Sequence, residues 1–528
     1  MSDSSSTTDG YITDVAYLPG YYPAMSPTQI RYVASLNGFQ TPSTARSFSY
    51  LELGCGYGST LLTLAASNPH GQFTGVDFMP THTTHIEDEV QKSNLQNVRV
   101  LCADFASLPD DLGKFDFITL HGVYSWVAPE LRSCILGIIQ QHLKPGGLVQ
   151  VTYNAMPGWS SLLPVRELLR YFSDQASGDS IQRISSALNV LVDLKKANVP
   201  IFHDQPLAAQ LIEKLQAANP HYIAHEYLNE HWTAFEFHEV QQHFSEIGLT
   251  YAGRLPIHQN FWSLCAQQRF ADQFAKHDIV QQEKLKDYHT NTMFRWDIYS
   301  SQSSSTFSPN ERAQLTTDIF FRIESPTLSL PHTVKYGTIT AGINGPPHEE
   351  LLACMGKSSW SLAKLLDSNL LSQFSPETIM EAIDVGVAMK LFRVEGGPVE
   401  ALNDSEPPDL HDLTVPLLFN QRALRRDNVE NEQVGLASQR THAGYCIGDL
   451  HAIVLEEIIR SGITNIEVRL ADYLIRNDKH LREHATGRPL TKREELVHAT
   501  REICGDFCTT ILPELLRQGI VVAKSKLQ

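Results

Sequence analysis

Between residues 48 and 154, short apolar runs alternate with stretches that carry apolar residues at every third or fourth position. Each run is only as long as a strand and stops at or just before a polar residue, which is typical of buried parallel strands. The intervening stretches, such as residues 59–67, predict helices that pack back onto the strands. This alternation predicts a doubly wound α/β sheet with strands at residues 48–53, 72–77, 98–104, 115–120 and 148–154.

The pattern changes after residue 160. Helical periodicity dominates from about residue 160 to residue 246, and strand-like segments return only at residues 249–257 and 293–300. We interpret these two segments as the sixth and seventh strands, an antiparallel pair at the edge of the same sheet. The helices before them are then an insertion that roofs the ligand site. The predicted fold is therefore a Rossmann-like, seven-stranded α/β sheet with a helical insertion.

Four parts of the chain follow from these patterns. Residues 1–45 form a Tyr-rich leader, and residues 46–300 form the sheet with its insertion at about 160–246. A polar linker leads to residues 311–398, where three short helices and a β tail predict a winged-helix-like module. An acidic, Pro-containing linker at residues 400–412 precedes a mostly helical part, residues 413–528. The third helix of the middle part is acidic and apolar, which indicates a protein contact or a scaffold and not DNA binding.

A glycine-rich loop follows the first strand and offers three interpretations. A phosphate-binding P-loop would need Gly-Lys-Ser/Thr at its end, which is absent. The dinucleotide fingerprint G-x-G-x-x-G would need glycine where the chain has Ser59. What stands there is E-x-G-x-G-x-G, formed by Glu52, Gly54, Gly56 and Gly58. Its glycines allow a ligand to approach the backbone closely.

This loop resembles motif I of the class I S-adenosylmethionine-dependent methyltransferases, and the next strand ends fit the same family. The resemblance implies that Glu52 places the methionine ammonium and that Asp77 accepts hydrogen bonds from the ribose hydroxyls. It also implies that Phe78 lies along the adenine and that Asp104 binds near the adenine amino group. The predicted cofactor-binding residues are Glu52, Gly54, Cys55, Gly56, Gly58, Asp77, Phe78, Asp104, Phe105 and His121, with Tyr17 and Tyr22 closing over the cofactor from the leader.

Other segments are similar to a narrower family. Residues 225–232 (HEYLNEHW) and 235–240 (FEFHEV) resemble the methyltransferase regulatory domain. The Tyr-rich leader at residues 11–39, VTYNAMPGW at 151–159 and FRWDIY at 294–299 match the same proteins. Together they resemble the bacterial, rickettsia-type protein-lysine methyltransferases. That resemblance implies transfer of methyl groups to lysines of a protein substrate, such as an outer-membrane protein before export.

The composition of the chain limits the kinds of partner that we expect it to bind. The net charge is −17, from 42 Lys and Arg against 59 Asp and Glu, so nucleic acid is not an expected partner. No apolar run is long enough for a membrane span, and the polar N-terminus is not a secretory signal, so we expect a cytoplasmic protein. Eight scattered cysteines indicate free thiols. His221 and His225 lie one helical turn apart, but no carboxylate cluster accompanies them, and no metal site is expected.

The catalytic expectation is an in-line methyl transfer to an amine held in an aromatic, water-poor slot. The residues that follow the fourth and fifth strands are the lining candidates: Tyr124, Trp126, Asn154 and Trp159. Three functions stay open at this point. They are a protein-lysine methyltransferase, a methyltransferase for a small biosynthetic intermediate, and an interaction protein that retains only the fold. The sequence does not indicate the oligomeric state or the number of methyl groups transferred.

Overall fold

The computed structural model describes residues 7–8, 10–15, 17–325, 327–356, 358–399, 410, 412–425, 433–482 and 488–526. The acidic linker expected at residues 400–412 lies almost wholly outside these ranges. Within the described residues, no helix is long and apolar enough to cross a lipid bilayer.

A mixed, seven-stranded sheet lies at the centre of residues 46–300. Its strands in chain order are β1 (Ser49–Leu53), β2 (Gln72–Asp77), β3 (Val98–Cys102), β4 (Phe115–Leu120), β5 (Leu143–Ala155), β6 (Thr250–Leu255) and β7 (Phe294–Ser300). Their spatial order is β3-β2-β1-β4-β5-β7-β6. Strands β1 to β5 are parallel, and β7 lies antiparallel between β5 and β6. The predicted seven-stranded Rossmann-like fold is confirmed.

The central strands are apolar on both faces because helices cover both sides of the sheet. In β1, Leu51 and Leu53 belong to one hydrophobic core, whereas Tyr50, directly before Leu51, belongs to the core on the opposite face. This is the alternation of a strand, whose successive side chains point to opposite sides. The sequence shows it as a continuous apolar run.

Helices connect most of these strands. Helix α1 (Pro27–Leu36) precedes β1, and the helices after β1, β2 and β4 are α2 (Ser59–Ser67), α3 (Pro80–Lys92) and α4 (Pro129–His142). Strand β3 ends at Cys102, two residues earlier than expected. Its continuation bends because the Asp104 side chain accepts a hydrogen bond from the Ala106 N–H and caps a short 3₁₀ helix, Phe105–Ser107.

The expected helical insertion follows β5 and has a hydrophobic core of its own. Its helices are α5 (Leu163–Gln175), α6 (Ser180–Lys196), α7 (Pro200–Asp204), α8 (Pro206–Ala217) and α9 (Pro220–Tyr227). Ile12 and Val15 of the leader are buried in this core. A two-residue strand, Ala234–Phe235, then pairs with β5, and α10 (Phe237–Glu246) leads to β6.

Strands β6 and β7 are antiparallel neighbours, as expected, but they are not joined by a tight turn. Three helices link them, α11 (Trp262–Cys265), α12 (Gln268–Phe274) and α13 (Ile279–Thr290). A buried ion cluster fixes α13 to the strands: Asp287 binds Arg254 at 2.6 Å and Arg295 at 2.7 Å, and Glu283 lies 2.9 Å from Arg295. Removing one member of such a cluster leaves a buried charge unpaired, which costs about 3–5 kcal/mol.

The middle part combines helices with two small antiparallel sheets. Its helices are α14 (Pro309–Leu315), α15 (His348–Met355), α16 (Leu362–Leu366) and α17 (Pro376–Ala388). The strand order of the three-stranded sheet is Trp360–Ser361, Phe320–Ile323, Phe392–Glu395, and a separate hairpin pairs His332–Tyr336 with Ile339–Ile343.

The C-terminal part is mostly helical. Its helices are α18 (Leu418–Leu424), α19 (Asp449–Ser461), α20 (Ile466–Arg476), α21 (Arg493–Asp506) and α22 (Leu512–Arg517), with a π-helical segment at Phe507–Ile511. Leu413–Thr414 pairs with Val522–Ala523, and Gln433–Ser438 pairs with Ala443–Gly448 to form what we call the C-terminal hairpin.

The C-terminal hairpin holds the leader. The Gly444 N–H donates to the Tyr21 hydroxyl at 2.8 Å, and that hydroxyl donates to the Gly444 carbonyl at 3.3 Å. Two glycines leave room for the Tyr21 ring. A Cβ atom on Gly435 would lie 2.9 Å from Tyr21 Cγ, and one on Gly444 would lie 2.6 Å from Tyr21 Cζ.

Candidate active site

A cavity lies at the carboxyl ends of the parallel strands, where open α/β sheets bind their ligands. The loops after β1, β2, β3 and β4 form its floor and sides, and the leader and α9 cover it. Its lining residues are Tyr11, Tyr17, Gly54, Gly56, Asp77, Phe78, His82, Ala103, Asp104, Phe105, His121, Gly122, Val123, Trp126, Val127, Leu131, His225, Glu226 and Asn229.

The three glycines of the loop after β1 all have positive φ, but only two of them line the cavity. A Cβ atom on Gly56 would meet nothing within 4 Å, so this residue borders open space. A Cβ atom on Gly58 would lie 2.7 Å from Ile86 Cγ1. Gly58 therefore allows α2 and α3 to pack closely at the point where α2 begins, and it does not border the cavity.

Glu52 lies behind the glycine loop and is buried. Its Oε2 atom has no hydrogen-bond partner. Burial, and secondarily the charge of Asp77, raise the pKa of the Glu52 carboxyl to about 8. A buried acceptor without a partner beside a ligand loop is suited to a cationic group.

Asp77 organises the loop from the end of β2. Its Oδ2 atom accepts from the Gly56 N–H at 2.8 Å. Its Oδ1 atom accepts from the Met79 N–H at 2.9 Å and lies 3.0 Å from His82 Nδ1. Both carboxylate oxygens are thus engaged, and Oδ2, which has a single donor, retains a further lone pair.

Four further residues were predicted to bind the cofactor: three of them line the cavity and one does not. Phe78, Asp104 and Phe105 line the cavity, and the Phe78 ring meets Tyr11 edge-on at 5.8 Å. Cys55 does not line it. Its side chain is buried in a small hydrophobic core under α2, and desolvation holds the pKa of the thiol well above its usual range.

His121, after β4, is held in an aromatic stack. Its ring lies 4.5 Å from Trp296 and 4.0 Å from Tyr22, and its Nδ1 atom lies 3.0 Å from the Thr152 hydroxyl. Burial lowers the pKa of His121 to about 3, so the imidazole is neutral. Tyr22 therefore reaches the site through His121 and is not itself in the cavity lining.

The leader crosses the cavity and is attached on both sides of it. Asn229 Oδ1 accepts from the Ile12 N–H at 2.9 Å, and His225 Nε2 donates to the Val15 carbonyl at 2.8 Å. On the far side, the Tyr22 N–H donates to the Thr60 hydroxyl at 3.1 Å. These anchors hold the Tyr11 and Tyr17 rings in the roof.

The four lining candidates after β4 and β5 take different positions. Trp126 lines the cavity, and its indole N–H is buried without a partner. Asn154 is buried and donates through Nδ2 to Glu226 at 3.4 Å. Tyr124 points to the other side, where its hydroxyl lies 2.9 Å from His243 Nδ1.

Trp159 also lies away from the cavity. It packs against Trp232 at 4.7 Å and Tyr227 at 6.0 Å in the core of the helical insertion. An aromatic residue just after a strand end suggested a substrate contact, but the helices of the insertion bury this one. Trp159 instead supports the C-terminal end of α9.

Sequence reasoning missed the contribution of α9 and the start of the leader. Tyr11, His225, Glu226 and Asn229 all line the cavity. The last three lie in the HEYLN segment, which the sequence predicted only as a rejected metal motif and as part of the resemblance to the methyltransferase regulatory domain. Among the described residues, no cluster of three potential metal ligands occurs. The sequence signal for this wall of the cavity is an acidic residue, Glu226, directly after a histidine, His225.

Comparisons with known proteins agree with this geometry. A methyltransferase domain model matches residues 51–147, and a model described as a predicted methyltransferase regulatory domain matches residues 219–300. An uncharacterized protein of Rickettsia prowazekii is 31% identical over 229 residues, covering 43% of this chain and 90% of that protein. The chain belongs to the class I S-adenosylmethionine-dependent methyltransferases that carry a regulatory domain.

Longer relatives and one solved structure extend the comparison. An uncharacterized protein of Synechocystis sp. is 31% identical over 324 residues, covering 61% of this chain but 64% of that protein. A second Rickettsia prowazekii protein is 28% identical over 53% of this chain and 51% of its own length. The structure of PKMT2 from Rickettsia typhi in complex with AdoHcy superposes with a TM-score of 0.68 at 18% identity, covering 96% of this chain and 99% of that one. This last likeness shows a shared fold.

The residues of this methyltransferase fit S-adenosylmethionine, the cofactor of its family. The unpartnered Oε2 atom of Glu52 offers an acceptor for an ammonium group. The space in front of Gly56 admits a ligand close to the backbone, and Asp77 Oδ2 keeps an acceptor site for a hydroxyl group. The aromatic walls around Phe78 and Phe105 suit a flat base.

Proposed function

We propose that this methyltransferase transfers methyl groups to lysine side chains of a protein substrate. The observation that carries the proposal is the structural match to the rickettsial protein lysine methyltransferase PKMT2, which covers 96% of this chain and 99% of that one. The proposed substrate is an outer-membrane protein, modified in the cytoplasm before export.

The chemistry of the cavity supports an amine substrate. S-adenosylmethionine supplies an electrophilic methyl group. The substrate protein must offer a neutral amine, and the enzyme must hold that amine in position. A lysine ammonium has a pKa of about 10.4, so its deprotonation at pH 7 costs about 4.6 kcal/mol. Apolar walls around Val123, Trp126 and Leu131 disfavour the charged form and reduce this cost.

We assign roles in this reaction to the residues that the cavity brings together. Gly54, Gly56, Asp77, Phe78, Asp104, Phe105 and His121 bind the cofactor, with Glu52 behind the loop and Tyr17 above it. Trp126 and Asn154 face the substrate side. Tyr124 and Trp159 support the walls from behind. Tyr22 orders His121, while Gly58 and Cys55 pack the start of α2.

We also propose the division of the chain into four parts. The leader (1–45) and the core with its insertion (46–300) hold the chemistry, and residues 311–398 and 413–528 hold the leader and contact the substrate protein. Separate hydrophobic cores in the middle and C-terminal parts support this division. The middle part, with helices, a small sheet and a hairpin, is the winged-helix-like unit.

A labelling experiment tests the proposal. Purified full-length protein is incubated with methyl-labelled S-adenosylmethionine and bacterial lysates, with and without added outer-membrane protein. Acid hydrolysis and amino-acid analysis should recover the label as methyl-lysine, at a rate that rises with the added protein. The Asp77→Ala variant serves as the control with weakened cofactor binding. Label found only in small molecules would overturn the lysine assignment and favour a biosynthetic substrate.

A further inference from the structure

Glu226 is a carboxylate in the cavity wall, and it is not among the residues that we assign to cofactor binding. It lies on α9, contributes to the lining, and is partly accessible because it faces the cavity. Its Oε1 atom accepts from Asn154 Nδ2 at 3.4 Å, which places it beside the carboxyl end of β5. The cofactor-binding carboxylates, Glu52 and Asp77, lie at the ends of β1 and β2 instead.

Among the ion pairs that the described residues form, none includes Glu226. Arg166 of α5 exerts only a weak, more distant attraction, because its guanidinium is bound to Glu167 at 2.9 Å and to the Asn229 carbonyl at 2.8 Å. The neighbouring His225 is neutral, because burial lowers its pKa to about 4.

The other groups around Glu226 are phenols. Tyr11, Tyr17 and Tyr22 face it from the leader, and Tyr222 and Tyr227 from its own helix; all have their pKa values raised, mainly by burial, and remain neutral. Burial also raises the pKa of the Glu226 carboxyl to about 8. The residue is therefore a nearly unpaired carboxyl in an aromatic, poorly hydrated slot, and it has room on the cavity side.

An amine fits this slot better than a carboxylate would. A carboxylate with aromatic neighbours attracts an ammonium group through charge, hydrogen bonds and cation–π contacts. A substrate carboxylate would instead be repelled. Charge pairing also lowers the pKa of Glu226 when an ammonium group is beside it, so that both partners become ionised on binding.

We propose that Glu226 binds the ammonium group of the substrate lysine and accepts one of its protons before methyl transfer. This inference rests on the proposed lysine specificity. The proton moves from lysine Nζ to a Glu226 Oε atom and leaves a neutral amine. The amine lone pair then forms the new N–C bond while the bonding electrons of the sulfonium C–S bond stay on sulfur. Glu226 afterwards releases its proton to solvent, and Asn154 holds its carboxyl toward the cavity.

The decisive variant is Glu226→Gln, which keeps the shape and removes the charge and the basicity. Its rate of methyl-lysine formation should fall at least about 30-fold at pH 7, and part of the loss should be recovered near pH 9.5, where more substrate lysine is already neutral. Affinity for S-adenosylhomocysteine, measured by calorimetry, should stay within about twofold of the wild type. Glu213→Gln, which removes an exposed carboxylate of α8 that pairs with Lys195, is the matched control and should change neither quantity.

A second readout does not depend on the protein substrate. Saturation-transfer NMR with n-butylammonium, a mimic of the lysine side chain, should show binding to the S-adenosylhomocysteine complex of the wild type and not of Glu226→Gln. If no methyl-lysine forms but butylammonium binds through Glu226, the amine site stands and the protein-lysine function fails. If Glu226→Gln retains the wild-type rate, pH profile and butylammonium signal, or loses S-adenosylhomocysteine as well, the role of Glu226 is refuted.

Discussion

The double engagement of Asp77 leads to a sharp prediction. Its two oxygens accept from different donors, Oδ2 from the Gly56 N–H and Oδ1 from the Met79 N–H and the His82 ring. An asparagine can offer an acceptor on one side only, because its amide nitrogen is a donor. In Asp77→Asn, one backbone N–H therefore faces another donor whichever way the amide is turned.

The size of the effect follows from these contacts. A hydrogen bond to a charged group contributes about 1.5–3 kcal/mol, and the substitution removes at least one such bond that preforms the glycine loop. We therefore expect the affinity for S-adenosylhomocysteine to fall by about 10- to 100-fold, since each factor of ten corresponds to about 1.4 kcal/mol. Asp77→Ala should lose a similar amount, although it removes far more of the side chain.

Isothermal titration calorimetry with S-adenosylhomocysteine measures both variants. Asp88→Asn on α3 is the matched control: Asp88 forms an exposed ion pair with Lys92, and such pairs contribute little. Binding of Asp77→Asn within twofold of the wild type would refute the reasoning. It would mean that the two acceptor positions of Asp77 do not organise the loop.

Three further predictions concern stability and the leader. Gly58→Ala combines a φ of 72° with a 2.7 Å approach to Ile86 and should lower the free energy of unfolding in urea by about 1–3 kcal/mol, whereas Gly505→Ala should not lower it. Gly444→Ala should weaken S-adenosylhomocysteine binding several-fold by displacing Tyr21, whereas Gly448→Ala in the same hairpin, with 3.9 Å of room, should not. Because the pKa of Glu226 is raised, the folded wild type holds a proton that the unfolded chain releases above about pH 4.5, and it loses stability as pH rises toward about 8. The melting temperature of Glu226→Gln should therefore rise relative to that of the wild type as the pH increases from about 4.5 to about 8.

Much of the sheet could be predicted because its signals are local. Most of the apolar runs are buried on both faces and end close to a polar residue, so strand positions and parallel direction follow from the pattern alone. The loop at Glu52 to Gly58 was recognisable because glycines at fixed spacing are needed wherever a ligand approaches a backbone. The seven-stranded order then followed from resemblance, since pattern alone does not order strands.

The roof of the site could not be predicted in the same way. Tyr11 and Glu226 are far apart in the chain, and what brings them together is a set of single hydrogen bonds, such as Ile12 to Asn229. Trp159 illustrates the reverse case: its position after β5 is that of a site residue, yet the packing of α9 and Trp232 decides its role. Local patterns carry no information about such tertiary choices.

The attachment of Tyr21 to Gly444 has a consequence for how the molecule is made. The leader leaves the ribosome before the hairpin that receives its tyrosine, because the hairpin lies 423 positions further along the chain. The roof over the cofactor is therefore held in place only after the C-terminal hairpin has been synthesised, although the strands beneath it can pair much earlier. A nascent chain would thus present a preformed floor without its roof, and catalytic competence would mark the arrival of the C-terminal hairpin.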